Sequence, residues 1–593
     1  MKRLCSILLI STVGVPMLFA QTGPGGVGNS LNNLLWLKAD AGVSTTTNGA
    51  PVSLWQDQSG NGNNASQAVA NRQPKYVANA TNGKPAILLN NVSDGVYDYL
   101  HLPTGFSNFT GGISALVVIR PIAPGDWDNF LNLDISSAPT TENIGLMRNG
   151  TSNSIFYEVY AGGTSAGSLN YANRITNGSY QIFGMRQDGG TPPGSTTARL
   201  YKDNAFLGSG TVSIPSNVVR DDNYIGHDSW GSGDMTAEIA EVIIYNFTMN
   251  RAQNYIIENY LSSKYGIALA SNDYYSYDAT HGNDVAGIGR LDFSNQHVNA
   301  SSAAILNVSN PSSMGNGEYL LFGHDDEPII SWINTGTPSD TIIRLQRNWR
   351  FDETGNVGTI SVLIDYSLLP AAPAACSNRY ILVDGDGDFS SGATVYGLTL
   401  VSGNQYYVSG VSISDGDYVT VGMGAVPDAD AGSDGSTCGS LSFSLGAVPS
   451  VGNGVWTKTS GPGDVVSWTP GNTSPTATVA VDSYGEYTFR WTETAGNCSD
   501  FDDVTIDFVQ DVTAPVITCP ADVTINCDDD STPAGTGTAT ATDNCAVALN
   551  ITITYTDVST QDGDASVAGH YNYTITRTWR ATDPSGNFSE CDQ

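Results

Sequence analysis

"AEIAEVIIYNFTMNRAQNYIIENYLSSKYGI", residues 237–267, changes its hydrophobic period half-way along, and that change decides the fold around it. Residues 237–246 carry Ile, Val and Tyr in the density of a sheet strand. From Asn250 the period lengthens to that of a helix. Asn250 with Gln253 makes a capping-box start, Ala252, Ile256, Ile257, Tyr260 and Leu261 share one face, and Gly266 can end the helix. Such an element predicts one helix packed on the sheet that the preceding strand closes.

Upstream, "ISALVVIR" (113–120), "SIFYEVYA" (154–161), "YQIFGMRQ" (180–187), "ARLYKDNAFLGSG" (198–210) and "NYIGHDS" (223–229) are short β runs separated by turns. Strands of this length and spacing indicate a sandwich or jelly roll. Asp203 and Asn204 stand between two runs that can pair, which predicts a hairpin. The fold class expected for the whole chain is all-β and multi-domain: a jelly-roll sandwich at the N-terminus, then a further β-sandwich and immunoglobulin-like modules. A length of 593 residues calls for several cores rather than one.

Composition narrows the partners. Lys and Arg total 24 against 58 Asp and Glu, a formal charge of −34, which opposes nucleic acid and anionic lipid. Neutral glycans, cations and proteins remain. Residues 1–20 read as a signal peptide, with Lys2 and Arg3 ahead of the apolar run Leu4–Phe19 and Ala20 before the cut. No later stretch has the roughly 18 apolar residues that spanning requires, so the mature chain is expected outside the cytoplasm without membrane insertion. Cys5 falls in the signal, and six of the other seven cysteines lie beyond position 430, which fits disulfides formed in an oxidising compartment. Cys376 is the odd one, read as a free or buried thiol.

"LLWLKADAGV", "WQDQSGNGNNASQ", "RQPKYV", "NGKPAILLN" and "IAEVIIYN" followed by "IIENYLSSKYGI" together resemble the laminin-G-like, concanavalin-A-type jelly roll of secreted bacterial surface proteins, over residues 24–268. That superfamily carries lectins, adhesion modules and glycan-cleaving enzymes, so the resemblance implies the fold and not one activity. Residues 269–425 resemble an uncharacterised β domain that often follows it. Residues 426–510, through "VWTKTSGPG" and "YGEYTFRWTETAGNC", resemble a PKD-like module, and alternation puts Tyr487, Phe489 and Trp491 on one strand face. That likeness implies a Cys438–Cys498 bridge. Residues 511–593, through "TAPVITCPADVTINC", "ATDNC" and "TWRATDPSGNFSEC", resemble a hyalin-repeat (HYR) module. Its four cysteines allow three pairings, of which family-like order implies Cys519–Cys591 and Cys527–Cys545. Similar proteins are exported by type IX secretion and continue into further modules, so the chain is expected to be the N-terminal part of a longer surface protein.

Catalytic residues are not expected. Laminarinase-type relatives need two glutamates on one strand face, and strict alternation through "AEIAEV" gives Glu238 and Glu241 opposite faces. "GTSAG" (163–167) matches G-x-S-x-G but is not followed by a helical period. "GHDDEP" (323–328) reads as a polar loop between strands. Calcium is the one cofactor the sequence suggests, with solvated acidic turns as the alternative; "PDADAGSDG" (427–435) could bridge two modules through it, and two further sets of residues offer ligands. Asp384, Asp386 and Asp388 alternate as in an oxygen-rich loop, although Phe389 replaces the EF-hand glycine and Val395 stands where its glutamate would be. Asp57, Ser59 and Asn61 form the other set, in a stretch that otherwise reads as a turn. For stacking on sugars, Trp55, Tyr97 and Trp230 are the candidate loop rings, with the alternative that Trp55 ends a strand and packs inward. The function expected is an exported, non-catalytic adhesin that binds carbohydrate or extracellular protein through the jelly roll, the C-terminal modules forming a stalk. A glycan-active hydrolase or lyase and a structural matrix component are the alternatives.

Overall fold

A computed structural model of the chain describes residues 22–90, 96–137, 141–230, 235–371, 378–496 and 498–593. The expected leader over residues 1–20, with Cys5, and Cys376 lie outside the described residues. The fold is all-β and multi-domain, built of mostly antiparallel sheets. No helix among the described residues is long and apolar enough to cross a membrane. Two compact units divide the chain: one runs to Ala372 and resumes over Asn378–Met423, and the other holds Gly424–Gln593.

The first unit begins with a sandwich of two sheets. One sheet has the order Ala205–Ser213, Ser195–Lys202, Gln181–Asp188, Gly112–Ala123, Thr236–Tyr245, Lys84–Leu89 and Lys75–Thr81, with Asn33–Lys38 also paired to Thr236–Tyr245. The other runs Ser168–Tyr171, Ile155–Val159, Ile144–Arg148, Asn129–Asp134, Asp222–Ile225, Leu100–Leu102, Ala65–Ser66 and Leu54–Trp55. Between them lies a core that includes Trp55, Val117, Phe130, Leu133, Tyr157 and Phe183. Asp203 and Asn204 turn the predicted hairpin at φ of 46° and 63°, the left-handed region that short polar side chains tolerate.

Thr236–Tyr245 does not alternate strictly. Its pairing with Gly112–Ala123 slips between Ile239 and Glu241, a β-bulge at Ala240. Ala237, Ile239, Val242 and Ile244 therefore face the core, while Ile243 and Tyr245 face outward with Ala240. The bulge corrects the sequence expectation: Glu238 and Glu241 lie on the same, outer face of the sheet.

That outer face carries the helix Arg251–Tyr265, whose Asn250–Gln253 capping box and left-handed Gly266 both form. The helix is buried on every side rather than along one stripe. Polar Asn254, Glu258, Asn259 and Lys264 are buried with the apolar face, because Val285, Tyr319 and Leu321 of the following sandwich close over it. That second sandwich packs a sheet containing Asn283–Asp292, Glu318–His324, Trp349–Thr354 and Tyr418–Gly424 against one containing Leu306–Ser309, Ile360–Asp365 and Gln405–Val411. Its core includes Phe322, Phe351, Trp349 and Val362.

Glu241 ties strand to helix. Its Oε1 accepts from Trp36 Nε1 (2.7 Å) and Tyr260 OH (2.9 Å), and its Oε2 from Tyr265 OH (2.7 Å) and Lys264 Nζ (2.9 Å). Lys264 also donates to Asp40 Oδ1 at 3.0 Å. Burial opposes the ammonium's charge, but the Glu241 and Asp40 carboxylates outweigh it and hold the lysine pKa above its ordinary value.

In the second unit Trp456, Tyr487, Phe489 and Trp491 fill a sandwich core, with the three aromatics of Gly485–Ala495 on one face. Here the disulfides correct the expected pairing. Cys438 bridges Cys545, not Cys498. Gly435–Cys438 runs parallel to Cys498–Val509 and sets Cys438 beside Val509, whereas Cys498 begins that strand. Eleven residues of extended chain separate them by about 36 Å, far beyond the roughly 7 Å Cα reach of a disulfide. Cys498 is itself disulfide-bonded. Cys527 is free and exposed rather than paired with Cys545, and Cys519 bridges Cys591. The cross-link helps a segment whose buried apolar cluster among the described residues is small: Ala541, Ile551 and Ala581.

Glu241→Ala should cost the first unit about 3–5 kcal/mol, because it leaves the Lys264 ammonium buried without its main partner. Thermal melting checks this: a large fall in Tm for the single change and recovery of most of it in Glu241→Leu with Lys264→Met are expected.

Candidate functional site

The outer face of the second sheet is where polar and aromatic groups gather. Ser66 pairs with His101, His101 with Tyr224, Tyr224 with Asn132, Asn132 with Gly145, and Gly145 with Glu158. Because partners in register share a face, these residues form one row across five neighbouring pairings. Their strand neighbours Leu100, Leu102, Leu133, Ile144, Tyr157 and Ile225 point into the core.

Toward one end of the row the face is buried yet polar. Asn129, Asn132, Asp134 and Asn143 are each no more than 1% exposed. Asn129 donates to Asp228 Oδ2 (3.2 Å) and Asn143 to Asp134 Oδ2 (3.3 Å), and Ser229 Oγ donates to the same Asp134 oxygen. The amide oxygens of Asn129, Asn132 and Asn143 have no partner among the described residues. An unsatisfied buried acceptor costs about 1–3 kcal/mol, so three on one face are a concentration of cost that packing alone does not explain. Burial pushes the Asp134 carboxyl up to about 6 and raises Glu158 as well.

Toward the other end stand rings. Tyr99 stacks on His227 at 4.6 Å between centroids, His101 and Tyr224 lie 4.5 Å apart, and the Arg72 guanidinium sits over Tyr99. All four rings are partly exposed. Burial lowers the His101 and His227 pKa values, which favours neutral imidazoles. Beyond Glu158, Phe156 meets Trp127 edge-on at 5.7 Å, and Trp127 holds φ at 59°, a strained conformation for a bulky residue. The partly exposed rings offer an aromatic face against which the apolar side of a ligand can lie.

Of the three rings named from the sequence, Trp230 is 43% exposed and its backbone N–H donates to Asp228 Oδ1 at this face. Tyr97 is half-buried on the approach to Leu100–Leu102. Trp55 is not a ligand ring: it is fully buried in the core, where its Nε1 donates to Lys38 O at 2.9 Å. Tyr99, His101, Tyr224 and Trp127 were missed; the single-residue alternation of "HL" and "YI" beside core leucine and isoleucine was their only signal.

The two calcium sets are engaged otherwise. Asp57 accepts four hydrogen bonds, from Trp36 N, Ser59 N, Ser59 Oγ and Asn63 N. Asn61 turns its Nδ2 donor to Asn33 O (2.7 Å) and to Ser59 Oγ (3.1 Å). The loop is thus a hydrogen-bonded turn about one carboxylate, with Gly60 and Gly62 at positive φ. Asp384, Asp386 and Asp388 likewise each accept from backbone N–H groups two or three residues on, as successive turns. They are not among the acidic groups that converge on one point. Such a convergence occurs instead at Asp511, Asp543 and Asp583, which bring one oxygen each within 4.8 Å of one another.

Glu238 and Glu241 share a face but sit in separate networks: Glu238 Oε2 accepts from Arg120 Nη1 (3.0 Å) and Tyr180 OH (2.5 Å). Ser165 of "GTSAG" is exposed and leads into the strand Ser168–Tyr171, not into a helix. His324 is buried, accepts from Asp326 N and lies 3.3 Å from Asp284 Oδ2, so it holds its own loop.

Residues 253–417 match a domain of unknown function, DUF8202. The DUF8202 match starts inside the helix, takes in Glu258, Tyr260 and Lys264, and ends in the second sandwich. No curated protein matches the chain. Among solved structures it is similar to domain 4 of AbnA, a GH43 extracellular arabinanase from Geobacillus stearothermophilus, in complex with arabinotriose, at 14% identity over 38% of this chain and 96% of that one, with a TM-score of 0.26. It is also similar to the CBM40 of Ruminococcus gnavus IT-sialidase bound to sialyllactose (6% identity, 27% and 94% covered, TM-score 0.21). A third is the Caenorhabditis elegans galectin LEC-6 (12%, 24% and 86%, TM-score 0.17).

A carboxyl whose pKa is higher folded than unfolded favours the fold below its ordinary value of 3.8 and loses that contribution as pH rises through about 6. Asp134→Asn should therefore raise Tm relative to the parent at pH 8 and leave the two close together at pH 4. Melting curves at the two pH values check it.

Proposed function

We propose that the chain is an exported, non-catalytic carbohydrate-binding protein whose recognition surface is the outer face of the second sheet. The observation that carries this reading is the partly exposed ring cluster of Tyr99, His101, Tyr224 and His227 on the row that continues into the polar strand of Asn132 and Asp134. Sugars present hydroxyl donors and apolar ring faces on one small body, which is the pairing this face offers. Amide acceptors and neutral histidines suit a ligand without strong positive charge. The −34 formal charge disfavours polyanions over the chain as a whole.

Disulfides in the second unit support an oxidising compartment, and with it the secreted or surface location and the adhesin role in which the C-terminal modules act as a stalk. Calcium in this reading is a stabiliser of modules rather than part of the sugar site.

A glycan array with the full chain tests the proposal, and bound neutral glycans are expected. Tyr224→Ala should weaken the best of them about tenfold, equal to about 1.4 kcal/mol, with Tm unchanged within a few degrees. No bound glycan, or binding indifferent to Tyr224, contradicts it. Release of new reducing ends from a bound glycan, abolished in Asp134→Asn, would replace the lectin reading with the hydrolase one.

A further inference from the structure

A second polar cavity lies on the opposite side of the sandwich, where the helix begins. Arg186, Arg199, Tyr201, Asn204, Arg251 and Asn254 line a space of about 650 Å³, within the ~300–1,000 Å³ of small-molecule sites. Three of these side chains are nearly fully buried: Arg186 is 4%, Asn204 3% and Asn254 1% exposed. Each has at least one polar side-chain atom in use and another without a partner among the described residues. Asn204 Nδ2 donates to Ser271 O (2.8 Å) and Asn254 Nδ2 to Glu258 Oε1 (2.7 Å), leaving both Oδ1 acceptors unpartnered. Arg186 donates from Nη1 to Met249 O (3.1 Å) and from Nη2 to Tyr201 OH, leaving Nε. A core that only needed packing would not keep three such groups around one cavity, since each costs about 1–3 kcal/mol.

The charge is opposite to that of the chain. Three guanidinium groups line the cavity against one carboxylate, Asp188, and Arg199 already holds that carboxylate at 2.8 Å. The amino end of a fifteen-residue helix opens onto the same space and adds positive potential. Burial pushes Glu258, which underlies Asn254, up to about 8, so at neutral pH it adds little negative charge. At the mouth, Tyr201 and Phe206 lie 5.5 Å apart, and Phe206 is 58% exposed, an apolar ring with no reason of its own to face solvent.

We propose that this cavity binds an acidic sugar residue, a uronic acid, with its carboxylate on Arg186 and Arg251, its hydroxyls donating to the Asn204 and Asn254 amide oxygens, and its ring against Phe206. Guanidinium pairs select a planar carboxylate, the amide oxygens require hydroxyl donors, and the exposed ring requires an apolar face. Glycan binding at the second sheet is a separate property on a separate surface.

Calorimetric titration of the full chain with glucuronate, galacturonate, glucose, galactose and inorganic sulfate tests it. At least one uronate is expected to bind tenfold or more tightly than its neutral hexose and than sulfate. Arg251→Ala, at an exposed position, and Asn254→Ala should each weaken that uronate fivefold or more, with Tm falling by no more than a few degrees for Arg251→Ala. Equal binding of uronate and hexose, sulfate as good as uronate, absence of uronate binding, or affinity unchanged in both variants overturns the assignment.

Discussion

The buried Glu241–Lys264 pair organises the first unit. A charged strand residue under a helix is costly unless every oxygen is satisfied, and Glu241 meets that condition with Trp36, Tyr260, Tyr265 and Lys264. The bulge at Ala240 is what aims the carboxylate outward, and the helix cap at Asn250 sets which turn brings Tyr260 and Lys264 over it. With those contacts made, the helix becomes a middle layer between two sandwiches instead of an ornament on one. Its amino end then frames one polar cavity.

Much of this was legible in the chain. The change of period at residue 250 marked the helix, its cap and its end, and Asp203–Asn204 marked a hairpin through their tolerance of positive φ. The paired acidic residues were misread because strict alternation was assumed through a strand that contains a bulge. The same failure hid the polar outer face of the second sheet: in Asn129–Asp134 the pairing slips between Asn129 and Leu131, so Asn129, Asn132 and Asp134 share a side that a period of two does not give them. Bulges depend on partner strands, and a single strand's residues do not announce them.

Elsewhere local chemistry has a local use or a partner distant in sequence. Asp57, Ser59 and Asn61 have the oxygens of a cation site, yet backbone N–H groups of their own loop claim Asp57 first. Cys438 and Cys498 flank one module in sequence, but a parallel edge strand carries Cys438 to the far end of the strand that Cys498 begins. Trp55 stands in a polar loop sequence and is nevertheless a core residue, because its two-residue strand pairs with Ala65–Ser66 and turns the indole inward.

The second sheet's outer face is the proposed seat of the ligand. Hydrogen-exchange mass spectrometry of the full chain, with and without a bound neutral glycan, measures this directly. Added protection over Leu100–Leu102, Asn129–Asp134 and Asp222–Ile225, with the first sheet and the second unit unchanged, is the predicted result; protection confined to any other sheet would contradict it.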